Sequence, residues 1–256
     1  MYVTVNGVKT WHSVSGSGEP VLLLHGGFSD SREFEPNLAT LDGFTLYRMD
    51  RRGHGRTPDV DGPITFGLMA ADAIAFIEEV IGGPAHVVGY SAGGFVAGTI
   101  AMRRPDLIRK LVLISTAVTK EGWLFLPQEG GEMPAQVVDA YAEVSPDGRD
   151  HFPVMMAKVI HGDGTDPDPV EPGRIANPTL VMTADDDIVH LGHMIETYRA
   201  IPHGQLAVIP GASHLLMVEK PTLCTQLVAD FLTNEPQPLM PVRRALSGPH
   251  EGGHGS

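Results

Sequence analysis

Six short stretches of this chain are largely apolar, and each ends in a cluster of Gly, Asp, Ser or His. They are Val21–Leu24, Thr45–Met49, His86–Val88, Leu111–Ile114, Thr179–Met182 and Leu206–Ile209. A strand with two apolar faces has to be covered on both sides, and a parallel sheet between two layers of helices provides that cover. Helical patterns lie between the runs. Leu68 to Val80 sets Ala70, Ala73, Ile74 and Ile77 on one face, with Ile81 continuing it. Gly94 to Arg103 stops before Pro105, and Pro221 to Leu232 is the last regular segment. Alternating strands and helices of this kind predict an α/β fold with a doubly wound, mostly parallel sheet.

Two segments depart from the alternation. At the start, Tyr2–Val5 and Val8–Val14 flank Asn6-Gly7, a pair that tolerates positive φ and predicts a hairpin. From Ala117 to Gly173 no strand-like run occurs, and so long a stretch is not a simple loop in a compact domain. Pro134–Val144 and Phe152–Ile160 predict short helices there, inserted as a cap after strand 6. The expected organisation is a core of residues 1–116 and 174–234, a helical cap of 117–173, and a flexible tail of 235–256. His250 and His254 in that tail read as solvated side chains without a supporting ligand set.

Composition narrows the function classes. Hydrophobic residues make up 42% of the 256 and charged residues 19%, which is globular composition. Acids outnumber bases by 31 to 18, a net charge of −13, which argues against nucleic acid and anionic membranes as partners. The single cysteine, Cys224, allows no internal disulfide and no cysteine-based zinc cluster, and its helical setting predicts a buried thiol. No signal peptide pattern or long apolar span is visible, so a cytoplasmic location is expected. Oligomeric state is not legible.

The chemistry concentrates at the ends of the apolar runs. Gly89-Tyr90-Ser91-Ala92-Gly93-Gly94 follows a strand and precedes a helix, the setting of a G-x-S-x-G nucleophile elbow. A serine held on so tight a turn presents its hydroxyl above the sheet as a nucleophile. His25-Gly26-Gly27-Phe28 follows the neighbouring run; backbone N–H groups near Gly27 and Phe28, with that of Ala92, are candidate oxyanion donors. His25 itself reads as a structural pin between loops. Serine needs a base, and His214, in the loop after the last apolar run, is the candidate; His190, His193 and His203 read as surface positions. An acid is expected after Thr179–Met182, where Thr183 and Ala184 turn the chain and Asp185, Asp186 and Asp187 stand in a row. Glu121 is the reserve acid.

With these residues in view, the sequence resembles the α/β-hydrolase superfamily over nearly all of residues 2–233. The likeness includes Asp50-Arg51-Arg52-Gly53-His54-Gly55-Arg56-Thr57, similar to the family's D-x-R-G-x-G-x-S turn, and Pro178–Val181 and Ser213-His214. Matching the acid loop G-x-x-D-x-[IV] to residues 184–189 carries the acid role onto Asp187, although Ala184 stands in place of the usual glycine. The resemblance is to small-capped esterases, enol-lactonases and cofactor-free perhydrolases. It implies a serine hydrolase acting on an ester or lactone of a small-to-medium apolar substrate, with no metal and no cofactor. A C–C bond hydrolase, a perhydrolase or a low-turnover ligand receptor would share the same framework. Tyr90 and the cap residues Trp123, Phe125 and Met155 are expected to line the substrate pocket.

Overall fold

The computed structural model describes residues 1–240 apart from 40, 129 and 162–169. The strands are β1 (Tyr2–Val5), β2 (Val8–Gly16), β3 (Glu19–Leu24), β4 (Phe44–Met49), β5 (Ala85–Tyr90), β6 (Ile108–Ile114), β7 (Thr179–Asp186) and β8 (Gly204–Ser213). They form one sheet in the order β1-β2-β4-β3-β5-β6-β7-β8. The helices are α1 (Phe66–Phe76), α2 (Ala92–Arg103), α3 (Ala135–Val144), α4 (Phe152–His161), α5 (Leu191–Ala200), α6 (Leu216–Glu219) and α7 (Pro221–Thr233). None among the described residues is long and apolar enough to cross a membrane.

The hairpin forms because Asn6 and Gly7 take φ of 47° and 77°, the left-handed values that a two-residue turn with matching twist requires. β2 then pairs antiparallel with β4, and every later pair is parallel. In β3, Val21 through Leu24 have no exposed surface at all. Alternate side chains feed the two layers. Leu22, Leu24, Val87, Leu111, Leu113 and Val181 pack with residues of α1 and α2. Val21, Leu23, Val88, Val112, Ile114 and Met182 pack with Cys224, Val228 and Phe231 of α7. Each such side chain contributes about 1.5–3 kcal/mol. Burial also pushes the Cys224 thiol up to about 11, so it is inert.

Element ends differ from the sequence expectation for identifiable reasons. α1 starts earlier, at Phe66, because the Thr65 hydroxyl accepts the Leu68 N–H (3.1 Å) as an N-cap. It ends by widening into a π turn, Ile77–Ile81, closed by Gly82 at φ 80°. α5 was not visible in the pattern, since only Met194 and Thr197 face the core. β7 does not stop at Met182, and Thr183 and Ala184 do not turn the chain. Pairing with β8 carries the strand on, past an irregularity after Ala184, to Asp186 opposite Ser213. The tail from residue 241, with His250 and His254, lies outside the described residues.

Between β6 and β7 stand α3 and α4, fastened to the sheet loops by charge. Arg32 meets Glu143 (2.6 Å) and the Ala140 carbonyl (2.6 Å) on α3. Asp59 takes Lys158 (2.7 Å) of α4 and His151 (2.9 Å), and its own N–H reaches Asp147 (2.7 Å). Phe152, Met155 and Met156 turn inward from α4.

Packing is very tight between β3 and the start of α2. A methyl group on Gly93 would lie 2.1 Å from the Leu24 carbonyl oxygen and 2.4 Å from that of His25. Backbone cannot move aside as a flexible side chain does, so Gly93→Ala is expected to lower Tm by at least about 5 °C. Gly83, with open space around it, is the control: Gly83→Ala should stay within about 2 °C by calorimetry. Equal midpoints for the two variants would refute this account of the packing.

Candidate active site

Ser91 sits between β5 and α2 at φ 53°, ψ −122°, a strained conformation for a residue with a side chain. Its N–H donates to the Ile114 carbonyl (2.8 Å), and its carbonyl accepts from Gly94 N (2.9 Å). The bend closes only because neighbouring positions lack side chains. A methyl on Gly89 would fall 2.3 Å from the Gly93 oxygen, and one on Gly94 2.6 Å from Thr116 Cγ2. The hydroxyl stands at the carboxyl edge of the sheet, within reach of His214.

His214 follows β8, and its Nε2 lies 3.0 Å from Ser91 Oγ. Its Nδ1 lies 2.7 Å from Asp187 Oδ1. A carboxylate only accepts, so Nδ1 carries the proton and Nε2 is left to accept the Ser91 hydroxyl; this tautomer is assigned from the network. Three groups fix the ring. The Tyr90 hydroxyl donates to the His214 carbonyl, its ring stacks on the imidazole at 5.4 Å, and the Trp123 edge meets the imidazole at 6.1 Å. Burial pushes the Tyr90 hydroxyl far up, so it remains a donor.

Asp187 is buried. Its Oδ2 accepts from Ser115 Oγ (2.5 Å) and Thr183 Oγ1 (3.1 Å), and its Oδ1 from Val189 N (3.2 Å). Burial alone would raise its pKa; the hydrogen bonds from His214 and Ser115 and the other partners outweigh that, and the net shift is downward. Asp186 is exposed. Asp185 is exposed too, yet it is not idle: it accepts the Gly211 N–H (3.0 Å) and the Ala212 N–H (3.3 Å) and so braces the approach to His214. Glu219 does the same from the other side through Ser213 N (2.6 Å) and Oγ (2.9 Å).

The loop after β3 crosses in front of Ser91. A methyl on Gly26 would be 3.6 Å from Ser91 Cβ, and one on Gly27 3.4 Å from Ala92 Cβ. Among the described residues neither the Gly27 N–H nor the Ala92 N–H has a hydrogen-bond partner; Ala92 opens α2, where no intrahelical carbonyl reaches it. Phe28, at φ 54°, places its ring 6.5 Å from His54 and 6.2 Å from Phe152 of α4. His25 is fully buried and pins loops together. Its Nε2 accepts the Arg51 N–H (3.1 Å) and its Nδ1 donates to the Gly26 carbonyl (2.8 Å). Burial, with the charge of Arg51, holds its pKa well below the ordinary value.

Ser91, Asp187, His214, Ala92, Gly27 and Trp123 thus meet at one edge, and three expectations need correction. Tyr90 is 3% exposed and hydrogen-bonded to the His214 backbone, so it supports the imidazole and offers no face to a substrate. Phe125 is 63% exposed, in the irregular chain beyond Trp123. Met155 has no exposed surface because α4 turns it onto the core, where it packs against Gly53. His193 is half-buried, and its Nε2 accepts the Val118 N–H (3.0 Å). Glu121, fully exposed on a short 3-10 turn, makes no contact with His214. Ser115, which the sequence reading missed, was signalled only by its place at the end of β6. A shallow depression lined by Lys110, His203 and Phe231 lies at the opposite edge of the sheet, where Lys110 is already bonded to the Phe231 and Asn234 carbonyls.

Known proteins bear out the architecture. A model of the alpha/beta hydrolase family matches residues 21–227. The 2-(acetamidomethylene)succinate hydrolase of Mesorhizobium japonicum is 26% identical over 85% of this chain and 89% of its own. A non-heme haloperoxidase from Rhodococcus erythropolis is 26% identical over 83% and 92%. The crystal structure of the enol-lactonase from Burkholderia xenovorans superimposes with a TM-score of 0.73 at 23% identity, over 91% of this chain and all of that one.

Ser115→Ala removes a hydrogen bond to a buried carboxylate and should cost about 1.5–3 kcal/mol at pH 7 in denaturant titrations. Because the folded pKa of Asp187 is depressed, its stabilisation is complete above the ordinary value of 3.8 and fades as pH falls through the folded value. The difference between variant and wild type should shrink in the same direction. A cost below about 0.5 kcal/mol at pH 7 would show that Asp187 does not depend on this hydroxyl.

Proposed function

Because the chain belongs to the alpha/beta hydrolase family, we propose that it is a serine hydrolase cleaving a carboxylic ester or lactone of a small-to-medium apolar substrate. The observation that carries this reading is the unbroken hydrogen-bond line Ser91–His214–Asp187, at 3.0 and 2.7 Å, ending on a serine at a strained elbow. Its chemistry follows from the atoms. Ser91 Oγ attacks the carbonyl carbon while His214 Nε2 takes its proton, and Asp187 stabilises the imidazolium. The oxygen that becomes negative is received by the N–H groups of Ala92 and of the Gly27–Phe28 loop. His214 returns the proton to the leaving alkoxide, leaving an acyl group on Ser91. Water, deprotonated by the same nitrogen, attacks the acyl carbon and frees the carboxylic acid and Ser91. An apolar acyl group is favoured by Trp123 beside His214 and by Phe28 against Phe152. Serine at the elbow suits acyl transfer, and among acyl substrates the likeness to an enol-lactonase supports an ester or lactone.

A fluorophosphonate probe should add its mass to the Ser91 peptide, and Ser91→Ala should lose at least about 10⁴ in kcat on p-nitrophenyl butyrate. Labelling at another residue, or hydrolysis surviving in Ser91→Ala, overturns the reading. Ring-cleavage diketones run in parallel would give turnover exceeding that on esters if the bond cleaved were C–C.

Asp187→Asn keeps the shape of the site but favours the wrong imidazole tautomer, so kcat should fall about 10⁴-fold. Asp186→Asn, at the surface, should cost less than about tenfold. The reverse ranking would remove Asp187 from the acid role.

A further inference from the structure

We propose that Glu33 and Arg51 form a charged clamp on the peptide groups of Gly26 that aims and polarises the Gly27 N–H as an oxyanion donor. The clamp holds both sides of one residue. Glu33 Oε2 accepts the Gly26 N–H at 2.7 Å. Arg51 Nη2 donates to the Gly26 carbonyl at 2.6 Å, and His25 Nδ1 donates to the same oxygen at 2.8 Å. That carbonyl and the Gly27 N–H belong to a single planar amide, in which C=O and N–H point in opposite directions. Fixing the oxygen toward Arg51 therefore fixes the hydrogen on the far side. Among the described residues the Gly27 N–H is left without a partner, in the loop where a methyl group on Gly26 would lie 3.6 Å from Ser91 Cβ. A cation bound to the amide oxygen also draws electron density through the amide and makes its N–H a stronger donor.

The residue types are hard to explain otherwise. Arg51, in the loop after β4, is fully buried and Glu33, on the short 3-10 turn Ser31–Phe34, is half-buried, and an apolar pair would fill such space with less penalty. Burial lowers Arg51 to about 10, with Glu33 and Asp50 acting to restore it, so it stays charged at neutral pH. Burial raises Glu33 to about 7, against the Gly26 N–H, the Arg51 charge and the Ser29 hydroxyl, with Asp30 raising it further; the Tyr90 hydroxyl also faces it. A carboxyl bound more tightly to its proton when folded than when unfolded loses stabilisation as pH rises from about 4.5 to about 7. Above neutrality the charged form is thus held against stability. A purely structural residue would not be expected to carry such a burden.

The inference rests on the serine-hydrolase reading, and the test separates the two. Fluorophosphonate titration of the wild type comes first: without labelling at Ser91 the earlier reading fails, and the clamp fails with it as its premise. With Ser91 labelled, Glu33→Gln keeps an amide oxygen for the Gly26 N–H but removes the charge. Measured per titrated site with p-nitrophenyl butyrate at pH 8, kcat should fall about 10–100-fold while KM stays within about threefold. The Ki of butylboronic acid, whose serine adduct is tetrahedral and anionic, should rise by a similar factor. Tm at pH 8 should hold or increase. Unchanged kcat and boronate Ki per titrated site overturn the clamp, as does a fall in Tm whose only kinetic consequence is fewer titrated sites. If Glu33→Gln yields no folded protein, Arg51→Lys, which keeps the buried charge but gives up the guanidinium's reach, decides by the same kcat and Ki criteria.

Discussion

Everything at the working edge of this molecule depends on two pieces of backbone being nearer than side chains allow. The first turn of α2 lies against the end of β3 so closely that Gly93 faces the Leu24 and His25 carbonyls with no room for a methyl group. That contact fixes where Ser91 stands relative to the loop of residues 25–28. The free N–H of Ala92 and the free N–H of Gly27 come together for the same reason. A parallel sheet makes this possible, because β3 and β5 are neighbours that end at the same edge. The strain stored at Ser91 is sustained by its bonds to Ile114 and Gly94 and by the packed strands on either side.

Around that contact the polar residues fall into a few supported chains. Asp187 is held by Ser115, Thr183 and Val189, and holds His214 in turn. Asp185 and Glu219 hold the backbone on which His214 rides, and Tyr90 holds its carbonyl. Loss of rotational freedom in these side chains was settled on folding, so a substrate would meet groups already in position. Apart from Arg51, the Asp50–Thr57 turn serves structure rather than chemistry. Asp50 accepts from Ser31 N and Arg56 N, and Gly55 leaves it room.

Much of this was legible in the residues, and unevenly so. The strands and the elbow were legible because apolar runs and glycine spacing are local signals. His25 as a pin followed from position in a strand–loop pattern, whereas Asp187 as the partner of His214 came from the resemblance to the family's acid loop. What was not legible depends on contacts distant in sequence. Asp185 looks like a solvated acid until Gly211 and Ala212 are seen beside it. Ser115 lies 72 residues from the carboxylate it supports. The insertion was the weakest ground, because its apolar residues face the core or solvent according to packing that no local pattern encodes; Met155 and Phe125 went opposite ways.

The path of the chain just after β6 also bears on how such a protein diversifies. Gly122 O accepts the His190 N–H, Leu124 N donates to the Ile188 carbonyl, and Trp123 bridges Val189. The first few residues of the insertion are therefore stitched to the loop that carries Asp187. An insertion exchanged at Ala117 would drag that loop along with it, whereas one exchanged after Leu124 would leave the seam intact. The boundary between the interchangeable part of this enzyme and its fixed chassis lies inside the insertion, several residues beyond where the sheet ends.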